Sequence, residues 1–129
     1  MPYHGPDREV IQVAANAVAL YAALARLVAR NEAVARRRKL PPILTSGVRY
    51  EREKLKRGQP EHWQVADTLL RNRRGDCEDI ACYEVARLRA MGVRAAPLLE
   101  HQVGGYYHCV VQLPDGRVYD PCLGVGMGE

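Results

Sequence analysis

The chain has 129 residues, of which 47% are apolar and 26% charged, enough to bury one core and too few for two. That composition excludes a disordered or low-complexity polypeptide. A formal charge of +4 is only mildly basic, and the surplus sits in Arg36, Arg37, Arg38 and Lys39 and in Arg71, Arg73 and Arg74, short runs that complement helix ends in solvent; nucleic acid is not an expected partner.

No charged-then-apolar leader opens the sequence, and the apolar stretch 13–29 is interrupted by Asn16 and Arg26 before it reaches the roughly 18 residues of a membrane span. A cytoplasmic protein with no membrane segment is expected. Asp7 is placed to cap a helix on which Val13, Ala17, Leu20, Leu24 and Leu27 recur at steps of four and three, one face of a 3.6-residue period. This helix is expected to run to about Arg38, where Pro41 and Pro42 stop it. Residues 43–50, with Gly47, read as an extended or irregular connection, dividing the chain into an N-terminal helical arm, 1–39, and a core, 40–129, within a single domain.

A second helix is expected from near Pro60, carrying Trp63, Ala66 and Leu70 on one face until Gly75 breaks it. The third starts at Asp76 or Cys77 and ends at Gly92, with Ala81, Val85 and Leu88 as its buried stripe and Cys77 at the head of it. Beyond Gly92 the period changes to that of strands, 94–101, 106–113 and 117–120, with turns at Gly104-Gly105 and at Pro114-Asp115-Gly116. Helices followed by an antiparallel sheet make an α+β layer fold, with the chemistry expected where helix meets sheet.

Cysteine attacks as thiolate, and a thiol of pKa about 8.5 needs a helix N-terminus or a cation beside it to ionise near neutrality. Cys77 has the helix: Asp76 caps, and the first-turn amides favour a thiolate and can donate to an oxyanion. Asp76, Glu78 and Asp79 oppose that charge, so their side chains are expected in capping bonds or salt bridges rather than at the sulfur. Taken alone, Cys77 reads rather as a small buried hydrophobe, the common fate of an intracellular cysteine. His108 lies on the second strand with Tyr106 and Val110 on its face and Tyr107, Cys109 and Val111 on the other. A three-residue Pro114-Asp115-Gly116 loop with Gly116 left-handed pairs Leu113 with Arg117 and sets Asp120 opposite Val110. Asp120 is then the diagonal neighbour of His108 on one face, at a Cβ separation on the order of 7 Å that the two side chains can bridge. In that arrangement the carboxylate orients the imidazole and the other ring nitrogen takes the proton of Cys77.

Gly75-Asp76-Cys77-Glu78-Asp79-Ile80-Ala81, the helix end Arg89-Ala90-Met91-Gly92-Val93-Arg94, Tyr107-His108 and Tyr119-Asp120-Pro121 together resemble the transglutaminase-like superfamily, over residues 40–127. The resemblance implies a papain-like fold in which a nucleophile helix packs on a small antiparallel sheet. It implies Cys77 as nucleophile, His108 as general base and acid and Asp120 as the orienting carboxylate. Trp63 or Gln64 would supply the second oxyanion donor, Trp63 otherwise being core, and Tyr107 would line the cleft with Trp63. Pro41-Pro42, 46–50 and Gly126-Met127 are similar to small bacteriophage-encoded members of that superfamily, a context of virion assembly or maturation.

The implied reaction is cysteine-dependent acyl transfer on an amide through a thioester at Cys77, which water resolves as a protease or amidase and an amine resolves as a cross-link; the residues do not choose between them. A protein or peptide substrate is implied, with other virion proteins or copies of the chain as partners. No cofactor is expected. Cys77, Cys82, Cys109 and Cys122 lack both disulfide density and zinc-ribbon spacing, so reduced thiols and no metal are expected. Two rivals stand beside this reading: a non-catalytic virion structural or assembly module that keeps the fold, and a redox function with Cys82 resolving an oxidised Cys77.

Overall fold

The computed structural model describes the backbone of residues 6–52, 63–102 and 107–128, with side chains from residue 18 onward. Helix α1, Pro6–Arg37, is built from Ala, Leu and Arg, the strongest helix formers. Leu24, Leu27, Val28, Asn31 and Val34 fall on one stripe and are buried, so the C-terminal half of this helix belongs to the core. Leu24 and Leu27 meet the expected period, Leu20 is half-buried, and the side chains of Asp7, Val13 and Ala17 lie outside the described residues. Asp7 falls within the helical run rather than before it. Beyond the last turn, Arg38 pairs with Asp67, and Glu32 takes Arg36 at 3.3 Å and Arg89 at 3.1 Å, so the basic end of α1 ties helices together.

Residues 43–50 are more ordered than a plain connection. A 3-10 turn, Ile43–Thr45, is pinned to the centre of the molecule: Ile43 N–H donates to Glu84 at 3.0 Å and Tyr83 Oη donates to the Pro41 carbonyl at 2.6 Å. Strand β1, Arg49–Tyr50, then pairs in parallel with β2, Arg74–Gly75. Two-residue strands give no period to read, which is why sequence patterning missed them.

Helix α2 is shorter than expected, Ala66–Asn72. Trp63, expected on it, precedes it in non-helical backbone, and the expected start at Pro60 lies outside the described residues. Val65, at the cap position, offers no side-chain acceptor. Asn31 of α1 supplies one instead, its Oδ1 accepting from Ala66 N–H at 2.8 Å. A cap delivered from another helix leaves no local signature.

Helix α3, Cys77–Ala90, starts where expected, with Asp76 and Asp79 forming a reciprocal capping box. It ends at Ala90, two residues before the left-handed Gly92 (φ 88°). In place of one apolar stripe, every residue from Cys77 to Ala86 is buried, while Leu88 is only half so. Such all-round burial means a helix enclosed by other elements; α1 covers one side and the sheet another. Glu84, buried on it, is satisfied by Arg87 at 2.8 and 3.0 Å, by Ile43 N–H and by Tyr119 Oη at 3.2 Å.

The sheet has the order β3-β4-β5, antiparallel throughout: Ala96–His101, Tyr107–Gln112 and Val118–Tyr119. Gly104-Gly105 lies outside the described residues. Val111 pairs with Tyr119 and Gln112 with Val118. Leu113 N–H donates to the Arg117 carbonyl at 2.8 Å and Gly116 is left-handed (φ 89°), so the register is the one the three-residue loop predicts. The result is a mixed α+β fold with a long N-terminal helix and a central helix packed on a small antiparallel sheet. Among the described residues no helix is long and apolar enough to cross a membrane.

Candidate active site

Continuing the β4–β5 register by one step sets Asp120 opposite Val110, diagonal to His108. The side chains meet there: His108 Nε2 lies 2.5 Å from Asp120 Oδ2. Both are about five-sixths buried, at 17% and 15% side-chain exposure, which strengthens the pair relative to one in open water. The other oxygen, Oδ1, accepts from Cys122 N–H at 3.0 Å. This is the i to i+2 turn that an Asp-Pro sequence invites, and it stops the carboxylate rotating away. With Nε2 committed to Asp120, Nδ1 is the ring nitrogen left for proton transfer.

Cys77 is the first residue of α3, 8% exposed. Parallel pairing of β1 with β2 delivers it: Arg49 N–H bonds the Arg73 carbonyl at 2.9 Å and Glu51 N–H the Gly75 carbonyl at 2.8 Å, fixing the two residues that lead into the helix. Its sulfur has two polar neighbours, Glu78 Oε2 at 3.3 Å and the backbone N–H of Cys109. The second follows from the sheet. Hydrogen-bonded pairs alternate along an antiparallel ladder, so with residue 113 bonding toward β5, residues 111 and 109 do too. Strand β5 has ended before it reaches Cys109, so that amide is left to act on the Cys77 thiol. Cys77 thus sits at the sheet edge beside the residue that follows His108. Among the described residues no hydrogen bond joins the sulfur to His108.

Burial pushes the Cys77 thiol well above the ordinary thiol range, with the Glu78 charge adding to it, the Cys109 amide opposing and Asp76 adding again. The acidic residues divide accordingly. Asp76 and Asp79 point into capping bonds as expected: Asp76 Oδ1 accepts from Asp79 N–H, and Asp79 Oδ2 accepts from Asp76 N–H, each at 3.2 Å. Glu78 departs from the expectation, because its carboxylate points at the sulfur.

Gln64 is spent on structure. Its backbone N–H donates to Asp79 Oδ1 at 2.7 Å, its carboxamide donates to Asp79 Oδ2 at 3.1 Å and to the Arg74 carbonyl at 2.8 Å, and it accepts from Asn72 at 2.8 Å. Trp63 packs against the core as a half-buried residue, yet its indole Nε1 is buried with no hydrogen-bond partner among the described residues, a costly arrangement that calls for an acceptor. Tyr107 meets the ring of His101 edge-on at 5.5 Å and, by strand alternation, lies on the face opposite His108.

The other cysteines are free and buried. Cys82 of α3 and burial together raise the Cys109 thiol on β4, so Cys82 has Cys109 as a close neighbour. Burial, then the Asp120 charge, raises Cys122. The contacts of Cys122 and of the Cys109 amide have no signal in the sequence patterning: the Asp-Pro-Cys turn could have pointed to the first, and the second depends on contacts between elements. Among the described residues, no three or more His, Cys, Asp or Glu side chains are arranged to hold a metal ion. Comparison of the chain with family models, with curated proteins and with solved structures finds no match in any of the three.

Proposed function

We propose that the chain is a papain-like, transglutaminase-like cysteine enzyme that transfers the acyl group of a protein or peptide amide through a thioester at Cys77. The observation that carries this reading is the His108–Asp120 pair, 2.5 Å apart, on the strand whose next residue offers its amide to the sulfur of Cys77. A buried His–carboxylate pair beside a cysteine that leads a helix is the arrangement cysteine acyl transfer requires.

In this reading the S–H proton passes to His108 Nδ1 while Asp120 holds the imidazole by Nε2 and stabilises the imidazolium. The thiolate adds to the amide carbonyl. The oxyanion that develops takes hydrogen bonds from the Cys77 backbone N–H and from Trp63 Nε1, whose missing partner it becomes. His108 then protonates the departing amine, leaving the thioester, and next deprotonates water or an acceptor amine to discharge it. The resemblance to phage-encoded proteins suggests a structural protein of the particle as substrate.

Incubation with an activated acyl ester, followed by intact-mass analysis, tests the reading. An adduct should form on Cys77, vanish in Cys77→Ala, and form about 10²–10⁴-fold more slowly in His108→Ala. Acylation that ignores both substitutions sinks the enzyme. One observation favours the rival reading, a non-catalytic assembly module with the same fold: the buried thiol with its pKa raised. Absence of any Cys77 adduct in a folded protein would decide for it.

A further inference from the structure

Glu78 has no part in the chemistry proposed above, yet it is the carboxylate that touches the nucleophile. It is 9% exposed and accepts the Cys77 S–H at 3.3 Å. Its neighbours Asp76 and Asp79 use the vacant amides of the first helical turn, as carboxylates at a helix N-terminus ordinarily do. Glu78 forgoes those and lies between two proton-bearing groups. On one side stands the thiol; on the other stands the Asp76 carboxyl, which hydrogen-bonds to it and is kept protonated by burial, by the charges of Asp79 and Glu78 and by that bond.

We propose that Glu78 sets the protonation of the nucleophile: in the free protein its carboxylate holds Cys77 as a hydrogen-bonded thiol, and the cysteine becomes reactive when Glu78 lets go. The inference rests on the reading of Cys77 as nucleophile. The charged and titratable groups around the sulfur agree with it. Among the described residues, Glu78 on α3 and Asp76 before it oppose a thiolate, while the Cys109 amide on β4 favours one; Tyr50 on β1 and Cys122 after β5 stand close enough to feel the charge of Cys77. On release, the S–H proton goes to His108 Nδ1, the sulfur keeps the electron pair, and Glu78 accepts an N–H of the bound peptide in exchange for the S–H. Binding and activation are thereby coupled, which keeps a thiolate from oxidising between turnovers.

The test reads protonation directly, by titrating the 13Cβ shifts of labelled cysteine in the whole chain, with Cys77→Ser identifying the resonance. In the wild type Cys77 should titrate above the ordinary value of about 8.5. Glu78→Gln should lower it by about one pH unit or more, giving at least about tenfold more thiolate at pH 8 and matching faster alkylation at Cys77. A wild-type Cys77 that titrates at or below the ordinary value overturns the proposal without any variant. So does a Glu78→Gln profile that coincides with the wild type or moves up, and Glu78→Ala repeats the comparison if the glutamine variant does not fold. The readout stands apart from acyl transfer: an acyl-enzyme with no shift in Glu78→Gln removes the role of Glu78 alone, whereas a shift with no acyl-enzyme in any protein removes the nucleophile.

Discussion

The indole of Trp63 has a buried N–H with no partner among the described residues. Leaving such a donor unsatisfied costs about 1–3 kcal/mol, a cost that the folded state gains nothing from unless an acceptor arrives during turnover. Trp63→Phe therefore separates stability from activity. The variant should melt at or above the wild-type temperature, because the orphan is gone and the ring still packs, while acylation of Cys77 slows by about 10²–10³-fold, the usual loss of one oxyanion donor. Calorimetry beside the acylation rate checks this; a variant that is less stable and equally fast would assign Trp63 to the core alone. The expectation of a core residue and that of an oxyanion donor were both open from the residues. Packing of the half-buried ring against the core speaks for the first and the orphan atom for the second.

Positioning of Cys77 depends on how elements meet rather than on α3 itself. Gly75 ends β2 and enters α3, and a Cβ there would stand 2.5 Å from Leu69 Cδ1 and 3.1 Å from Asp79 Cβ and Oδ2. Leu69 is fully buried in α2 and Asp79 is held in the capping box, so neither has room to withdraw. Gly75→Ala should cost about 1–3 kcal/mol in denaturant unfolding, the price of overpacking, and should slow acylation by displacing Cys77. An unchanged midpoint would show that α2 and α3 part easily. In the sequence Gly75 reads as a helix breaker. It is in fact the close contact of two helices and the end of a parallel strand pair, neither of which two residues of strand can announce.

The pH dependence of stability belongs to the whole molecule, since it compares folded and unfolded chains. Burial, then the Asp79 charge and then Glu78, raise the Asp76 carboxyl from its ordinary value to about 10. The folded chain thus holds a proton that the unfolded chain releases near pH 4. A raised folded value gives stability that is fully present below the unfolded pKa and drains as pH rises toward the folded one. Wild-type stability should therefore decline between about pH 4 and the alkaline limb. Asp76→Asn, which keeps an acceptor for the cap and a donor for Glu78, should flatten that decline. Urea unfolding midpoints at a series of pH values read the slope; equal slopes in the two proteins would mean that Asp76 is ionised in the folded state.

Local signals carried the parts of this protein that are local. Asp76 and Asp79 three residues apart wrote the start of α3, and Pro41-Pro42 set the end of α1 to within a few residues. Pro114-Asp115-Gly116 set the hairpin register, and from that register alone His108 and Asp120 could be brought onto one face, because side chains alternate with a period of two. Tertiary structure decided what depends on two elements meeting. It enclosed α3 on all sides where a single stripe was expected and let Asn31 cap a helix 35 residues away. It also left the Cys109 amide open to Cys77 at the end of a short strand. Hydrogen bonds and burial between distant segments have no period along a chain, so they become visible only when the chain is folded.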